Sequence, residues 1–156
     1  MARNRANKKA KNKSAKHAGK KPKNLLDPNN AMNLNLAWHF RKLVLAEDSE
    51  WSWSNILEIN MTNPVFQKLR EYETMKLSEV NDKKNHRIPY EDLSKKAQNE
   101  LERIKLNDID ALHSFHIVGN VRFYCIPFGN IMQLLWYDPY HDNVDKAVCP
   151  YHKKGT

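Results

Sequence analysis

Residues 111–139 read ALHSFHIVGNVRFYCIPFGNIMQLLWYDP, and the reading of this stretch decides the fold. Two Gly-Asn pairs, Gly119-Asn120 and Gly129-Asn130, interrupt runs dominated by apolar and aromatic residues. Glycine reaches the positive φ that a tight hairpin turn demands, so each pair marks a two-residue connection. The segment therefore predicts three antiparallel strands, at about 112–118, 121–128 and 131–137. Two-residue turns also fix a register. Val118 opposes Val121 and Phe115 opposes Tyr124, while Phe128 opposes Ile131 and Arg122 opposes Tyr137. Strand side chains alternate between faces, so two surfaces follow. One carries Val118, Val121, Phe123, Cys125, Met132, Leu134 and Trp136, with His116 its sole polar member, and is the expected core face. The other mixes His113, Phe115, Ile117, Arg122, Tyr124, Ile126, Gln133, Leu135 and Tyr137. A slip of one residue exchanges the faces, so this sorting rests on the turns.

Upstream, Leu93, Ala97, Leu101 and Ile104 recur at spacings of four, four and three, which predicts an amphipathic helix over about 90–105 with a charged outer side. Asn63-Pro64 starts another helix, with Pro64 at its first position and Phe66, Leu69, Tyr72 and Met75 on one face. Between the two, residues 81–87 (NDKKNHR) read as a polar loop. Residues 34–45 (LNLAWHFRKLVL) pass from alternation into an apolar run and give a first strand near 36–46. Trp51 and Trp53 read as packing at an edge. The order strand, helix, helix, three antiparallel strands defines an α+β domain over 36–156, with both helices packed on one sheet face. Residues 25–35, with the turn cluster Asp27-Pro28-Asn29-Asn30, read as a linker.

The chain has 156 residues and a net charge of +8, but the charge is unevenly placed. Arg3, Arg5, Lys8, Lys9, Lys11, Lys13, Lys16, Lys20, Lys21 and Lys23 lie in residues 1–24 with no acid among them. The remainder holds 16 basic and 18 acidic residues, a charge of −2. An arm without large apolar residues after Met1 cannot bury a face, and is expected to be disordered alone. It reads as a polyelectrolyte that contacts nucleic acid, or as a solubilising segment. No run of 18 apolar residues exists, so no transmembrane helix and no membrane partner are expected. Met1 is followed by lysines and asparagines, so no secretory signal is expected either, and a cytoplasmic location follows. Two cysteines, Cys125 and Cys149, make no disulfide framework.

Leu112 to Arg122 (LHSFHIVGNVR) resembles the hairpin of RelE/ParE-like bacterial toxins, in which a basic residue follows the turn glycine. Ile131 to Pro150 (IMQLLWYDPYHDNVDKAVCP) resembles their last strand and the histidine-containing segment after it. The resemblance covers about 36–152 and is strongest over 111–150. It implies a small toxin of a toxin–antitoxin pair, neutralised by a cognate antitoxin protein. RelE-like members cleave mRNA on the ribosome and so inhibit translation; ParE-like members inhibit DNA gyrase. By this resemblance Arg122 matches the basic residue after the turn, and His141 falls where some members carry a catalytic histidine. Lys153 and Lys154 match a basic C-terminal stretch. Two features depart from the family pattern: the long basic arm, and helices that are not notably basic.

Metal-free RNA cleavage needs a base for the 2′-hydroxyl, a cation for the phosphate and an acid for the leaving oxygen. Histidine transfers protons near neutral pH, arginine clamps phosphate, and aromatic faces stack bases. The mixed face offers these types, with Arg122 and His141 as catalytic candidates and His113, Tyr124 and Tyr137 as RNA contacts. The leading expectation is a ribosome-dependent endoribonuclease without a cofactor, whose partners are RNA or the ribosome and an antitoxin. The alternatives are a non-catalytic RNA-, ribosome- or protein-binding module of the same fold, and a gyrase-directed toxin. Cys149-Pro150-Tyr151-His152, with Cys125 and His141, has zinc-like spacing but lacks a second C-x-x-C, so no metal is assigned. Gly-rich phosphate loops, nucleophile elbows and H-E-x-x-H motifs do not occur.

Overall fold

In the computed structural model, residues 28–57, 61–82 and 84–150 are described. The arm with its ten basic residues, and Lys153 and Lys154, lie outside them. The described chain is α+β: a five-stranded sheet in the order β1-β5-β4-β3-β2. The strands are β1 (Ala37–His39), β2 (His86–Pro89), β3 (Ala111–His116), β4 (Arg122–Phe128) and β5 (Ile131–Asp138). β1 runs parallel to β5, and every other neighbouring pair is antiparallel. The helices are α1 (Pro28–Ala31), α2 (Thr62–Glu73), α3 (Leu77–Val80) and α4 (Lys95–Arg103). Part of the expected linker is thus helical, and Ala31 within it is buried. Among the described residues, no helix is long and apolar enough to cross a membrane.

The first hairpin differs from expectation by one residue. Phe115 opposes Phe123 and His116 opposes Arg122, with Ile117 N–H donating to the Val121 carbonyl at 3.0 Å. Val118 therefore joins Gly119 and Asn120 in the loop and is exposed. The second hairpin keeps Phe128 opposite Ile131, with Gly129 at φ +62°. A bulge between Tyr124 and Cys125 then moves Trp136 opposite Tyr124 and Asp138 opposite Arg122. Such an insertion lets two residues of one strand meet one of its neighbour, which re-aims everything beyond it.

These shifts remake the faces, and the sheet is covered on both sides. Against α2 and α3 pack Phe115, Ile117, Phe123, Cys125, Met132, Leu134 and Tyr137, with Val65, Leu69 and Tyr72 of α2. Against α4 pack Ile88, Leu112, Tyr124, Leu135 and Trp136, with Leu93, Ala97 and Leu101. The expectation that both helices share one face is therefore corrected. Both sides of these strands are apolar enough to be buried, as in layered folds with helices on each face. In α2 the buried stripe is Val65, Leu69 and Tyr72, while Phe66 is exposed. α4 starts at Ser94, whose hydroxyl accepts the Ala97 N–H at 3.2 Å, the usual satisfaction of an orphan first-turn donor.

The first strand is short, and residues 44–53 cover the rest of the β5 edge. Val44 N–H donates to the Leu135 carbonyl (3.0 Å) and Tyr137 N–H to the Trp51 carbonyl (2.9 Å). The two tryptophans straddle this edge. Trp51 packs on Trp136 at 4.9 Å on the α4 side, and Trp53 packs near Phe123 and Tyr137 on the α2 side. β2 replaces the expected loop over 86–87. It exposes three of its four residues and ends in Pro89, as suits an edge strand.

Candidate functional site

Arg122 begins β4, and its cross-strand neighbours on both sides are polar: His116 ends β3 and Asp138 ends β5. His86 begins β2 opposite Ser114, which alternation places on the same face as His116. Four strand ends thus bring His86, His116, Arg122 and Asp138 to one end of the sheet, on the α4 face beyond the apolar cluster. His141 joins them from the segment after β5. Its charge is coupled to Arg122, His86 and His116.

Asp138 holds that segment in place. It is fully buried, its Oδ1 accepts the Tyr140 N–H at 2.7 Å, and its Oδ2 accepts the Val148 N–H at 3.0 Å. Trp51 Nε1 donates to the Lys146 carbonyl at 2.9 Å, and Ser94 N–H to the Val148 carbonyl at 2.8 Å. His141 therefore sits in a loop tied to β5, to the Trp51 edge and to α4. Burial raises Asp138 to about 6, against which its two backbone hydrogen bonds and Arg122 work.

The histidine side is fixed by Asn85. Its Oδ1 accepts the His116 N–H at 2.8 Å, and its Nδ2 donates to the Val80 carbonyl at 3.2 Å. Tyr72 Oη donates to the His116 carbonyl at 2.7 Å and lies 3.2 Å from Asn85 Oδ1. His116 Nε2 is 3.1 Å from the Gly119 carbonyl oxygen, across its own turn. A hollow of about 280 Å³ beside it is lined by charges of both signs, Lys68 and Lys84 with Glu71, Glu79 and Asp82. Arg122 Nη1 donates to the Lys84 carbonyl at 3.4 Å.

The electrostatics are those of one guanidinium set among partly buried histidines. Burial, then Arg122, then His86 hold His141 down at about 4. Burial and Arg122 lower His86 and His116 as well. At neutral pH these imidazoles are uncharged proton acceptors beside a guanidinium that stays cationic. An anion on Arg122 would screen its charge from the histidines and raise their pKa values.

Of the expected site residues, Arg122 and His141 are close enough that, after burial, the Arg122 charge lowers the His141 imidazole. Tyr124 lies on the same face next to Ser114, but its ring is wholly buried and offers no surface for a base. His113 and Tyr137 lie on the α2 face, both buried, because the three-residue turn and the bulge exchange their places. They are not part of the Arg122 surface. His86, Asn85, His116 and Asp138 are the additions. His116 was legible as a polar residue in an apolar strand; Asn85 and His86 sit in a segment whose polarity reads as loop. Cys125 is sealed into the α2-side cluster, while Cys149 packs against the α4-side cluster with its thiol directed at the Asp92 carbonyl. Comparisons with protein-family models, curated proteins and solved structures gave no match.

Proposed function

We propose that the chain is a RelE-like toxin that cleaves mRNA on the ribosome by attack of the neighbouring 2′-hydroxyl. The observation that carries this reading is the convergence of Arg122 with His86, His116 and His141 at one sheet end. A phosphate seated on Arg122 meets a bidentate donor and several imidazoles. His141, neutral in the free protein, takes the proton of the 2′-hydroxyl. The 2′-oxygen bonds to phosphorus as the bond to the 5′-oxygen breaks. His116, made more basic by the bound phosphate, carries the proton delivered to that 5′-oxygen. The products are a 2′,3′-cyclic phosphate and a 5′-hydroxyl. Asp138 is a positioning residue, acting through the loop that carries His141. The hairpin sequence LHSFHIVGNVR and the segment after β5 supply the family resemblance that names the substrate. RNA or ribosome and an antitoxin are the partners this reading proposes, in the cytoplasm.

The test is cleavage of a defined message by the full chain on bacterial ribosomes. Arg122→Ala and His141→Ala should each lose about 100-fold or more in rate, as removal of a charge-stabilising or proton-transfer group does. Circular dichroism should show both still folded. Undiminished cleavage by either variant rejects that residue's role.

The burial of Tyr124 and Tyr137 favours a second reading, a binding module of the same fold without catalysis. That module contacts phosphate through the same arginine and leaves RNA intact.

A further inference from the structure

A second cleft, of about 710 Å³, is not lined by Arg122 and takes in His113 and Met132 of the α2 face. Its walls are apolar where Met32, Leu77, Pro127 and Met132 line it, and its polar lining includes Asp82, Arg87 and His113. His113 is only 4% exposed, and its Nε2 is buried with no hydrogen-bond partner among the described residues. A buried nitrogen left unpaired is costly, so one on a side chain that lines a cavity invites a ligand. Arg87 is directly opposite His113 in the β2–β3 register, and so shares its face. Its guanidinium makes no ion pair among the described residues. Burial, together with the nearby His86 and Arg87, keeps the His113 imidazole neutral, with a pKa of about 4. Asp82 adds a negative charge to the lining, and its Oδ1 already accepts the amides of Lys84 and Asn85 at 2.7 Å each. Asp82 offsets much of the charge of Arg87, so a phosphate dianion is disfavoured more than a singly charged head, which can still pair directly with the Arg87 guanidinium. An apolar cavity with a few convergent polar groups is the usual form of a small-ligand site.

We propose that this cleft binds a monocarboxylate with an apolar body, its head on Arg87 and His113 Nε2 and its body against Met132 and Leu77. The carboxylate has two possible sources, a free organic acid or the C-terminus of a peptide. Asn85 and His86 also line this cleft and border the Arg122 cluster, but the head and body contacts proposed here use neither of them. It is tested by calorimetry and methionine-methyl NMR on the full chain, with octanoate, octan-1-ol and N-acetyl-leucine as probes. Octanoate or N-acetyl-leucine should bind and shift the Met132 methyl resonance. Octanoate alone points to a free acid, N-acetyl-leucine alone to a peptide terminus. Octan-1-ol should bind about tenfold more weakly than octanoate, and Arg87→Ala should weaken the carboxylate by a similar factor. Arg87 is exposed, so this variant should fold normally. The proposal is overturned if neither carboxylate binds at about 10 mM. Equal affinity for octan-1-ol and octanoate overturns it too, as does affinity unchanged in Arg87→Ala.

Discussion

His113 shows what one residue of register does. In the sequence it alternates with Phe115 and Ile117, and a two-residue turn sends all three to the surface of Arg122. With Val118 drawn into the loop, the three instead face α2, and Phe115 stacks on Phe123 at 5.1 Å. The consequence for His113 is a neutral imidazole held at about 4 against an ordinary 6.5. Between those values the unfolded chain takes up a proton that the folded chain refuses, so stability is full above pH 6.5 and falls as pH drops toward 4. His141 acts in the same direction. Asp138 opposes them, since burial keeps it protonated up to about 6 when folded, and its contribution fades as pH rises. The histidines outnumber it, so urea midpoints should fall between pH 6.5 and 4. His113→Leu should remove on the order of 2–3 kcal/mol of that fall. An unchanged slope in His113→Leu would show that His113 titrates normally. Asp138→Asn keeps one acceptor but puts an amide donor against a backbone N–H. It should cost about 1–3 kcal/mol and, on the proposed function, slow RNA cleavage without altering ribosome affinity. At this scale Arg122 and His141 were legible because arginine and histidine are chemically conspicuous. Asp138 was not, since its role lies in two backbone hydrogen bonds made after the strand has ended.

Among the elements, the three antiparallel strands and α4 were legible, because Gly-Asn punctuation and a spacing of four, four and three leave little choice. What the pattern did not reveal was the loop length. Gly119 has φ +53° and nothing within 4 Å of where a Cβ would stand. Gly119→Ala should therefore cost about 1 kcal/mol from backbone strain alone, and Gly119→Asn less, measured by urea unfolding. A larger loss would mean that the turn carries more than conformation. β2 escaped sequence reading because an edge strand with one buried residue in four has the composition of a loop. The bulge in β4–β5 is set by packing, with Leu135 and Trp136 both on the α4 side, and no local sequence signal marks it.

Over the whole molecule, a sheet sandwiched between helices leaves its strand ends as the place where polar side chains meet. The basic charge of the chain is concentrated in residues 1–24, apart from that cluster in sequence. If the arm supplies phosphate contacts, its removal should weaken RNA binding and flatten the dependence of log affinity on log salt. An unaltered slope would assign the salt dependence to the folded domain. The α+β class and the strand order β5-β4-β3 followed from the sequence; the second helical layer did not, because a strand buried on both faces looks the same from either side. The most direct test of the proposed function is end-group analysis of message recovered from a ribosome-containing translation mixture, with wild type and Arg122→Ala side by side. Cleavage by the proposed mechanism gives fragments with 2′,3′-cyclic phosphate and 5′-hydroxyl ends in the wild type alone. Intact message in both, or fragments bearing 5′-phosphates, would contradict it.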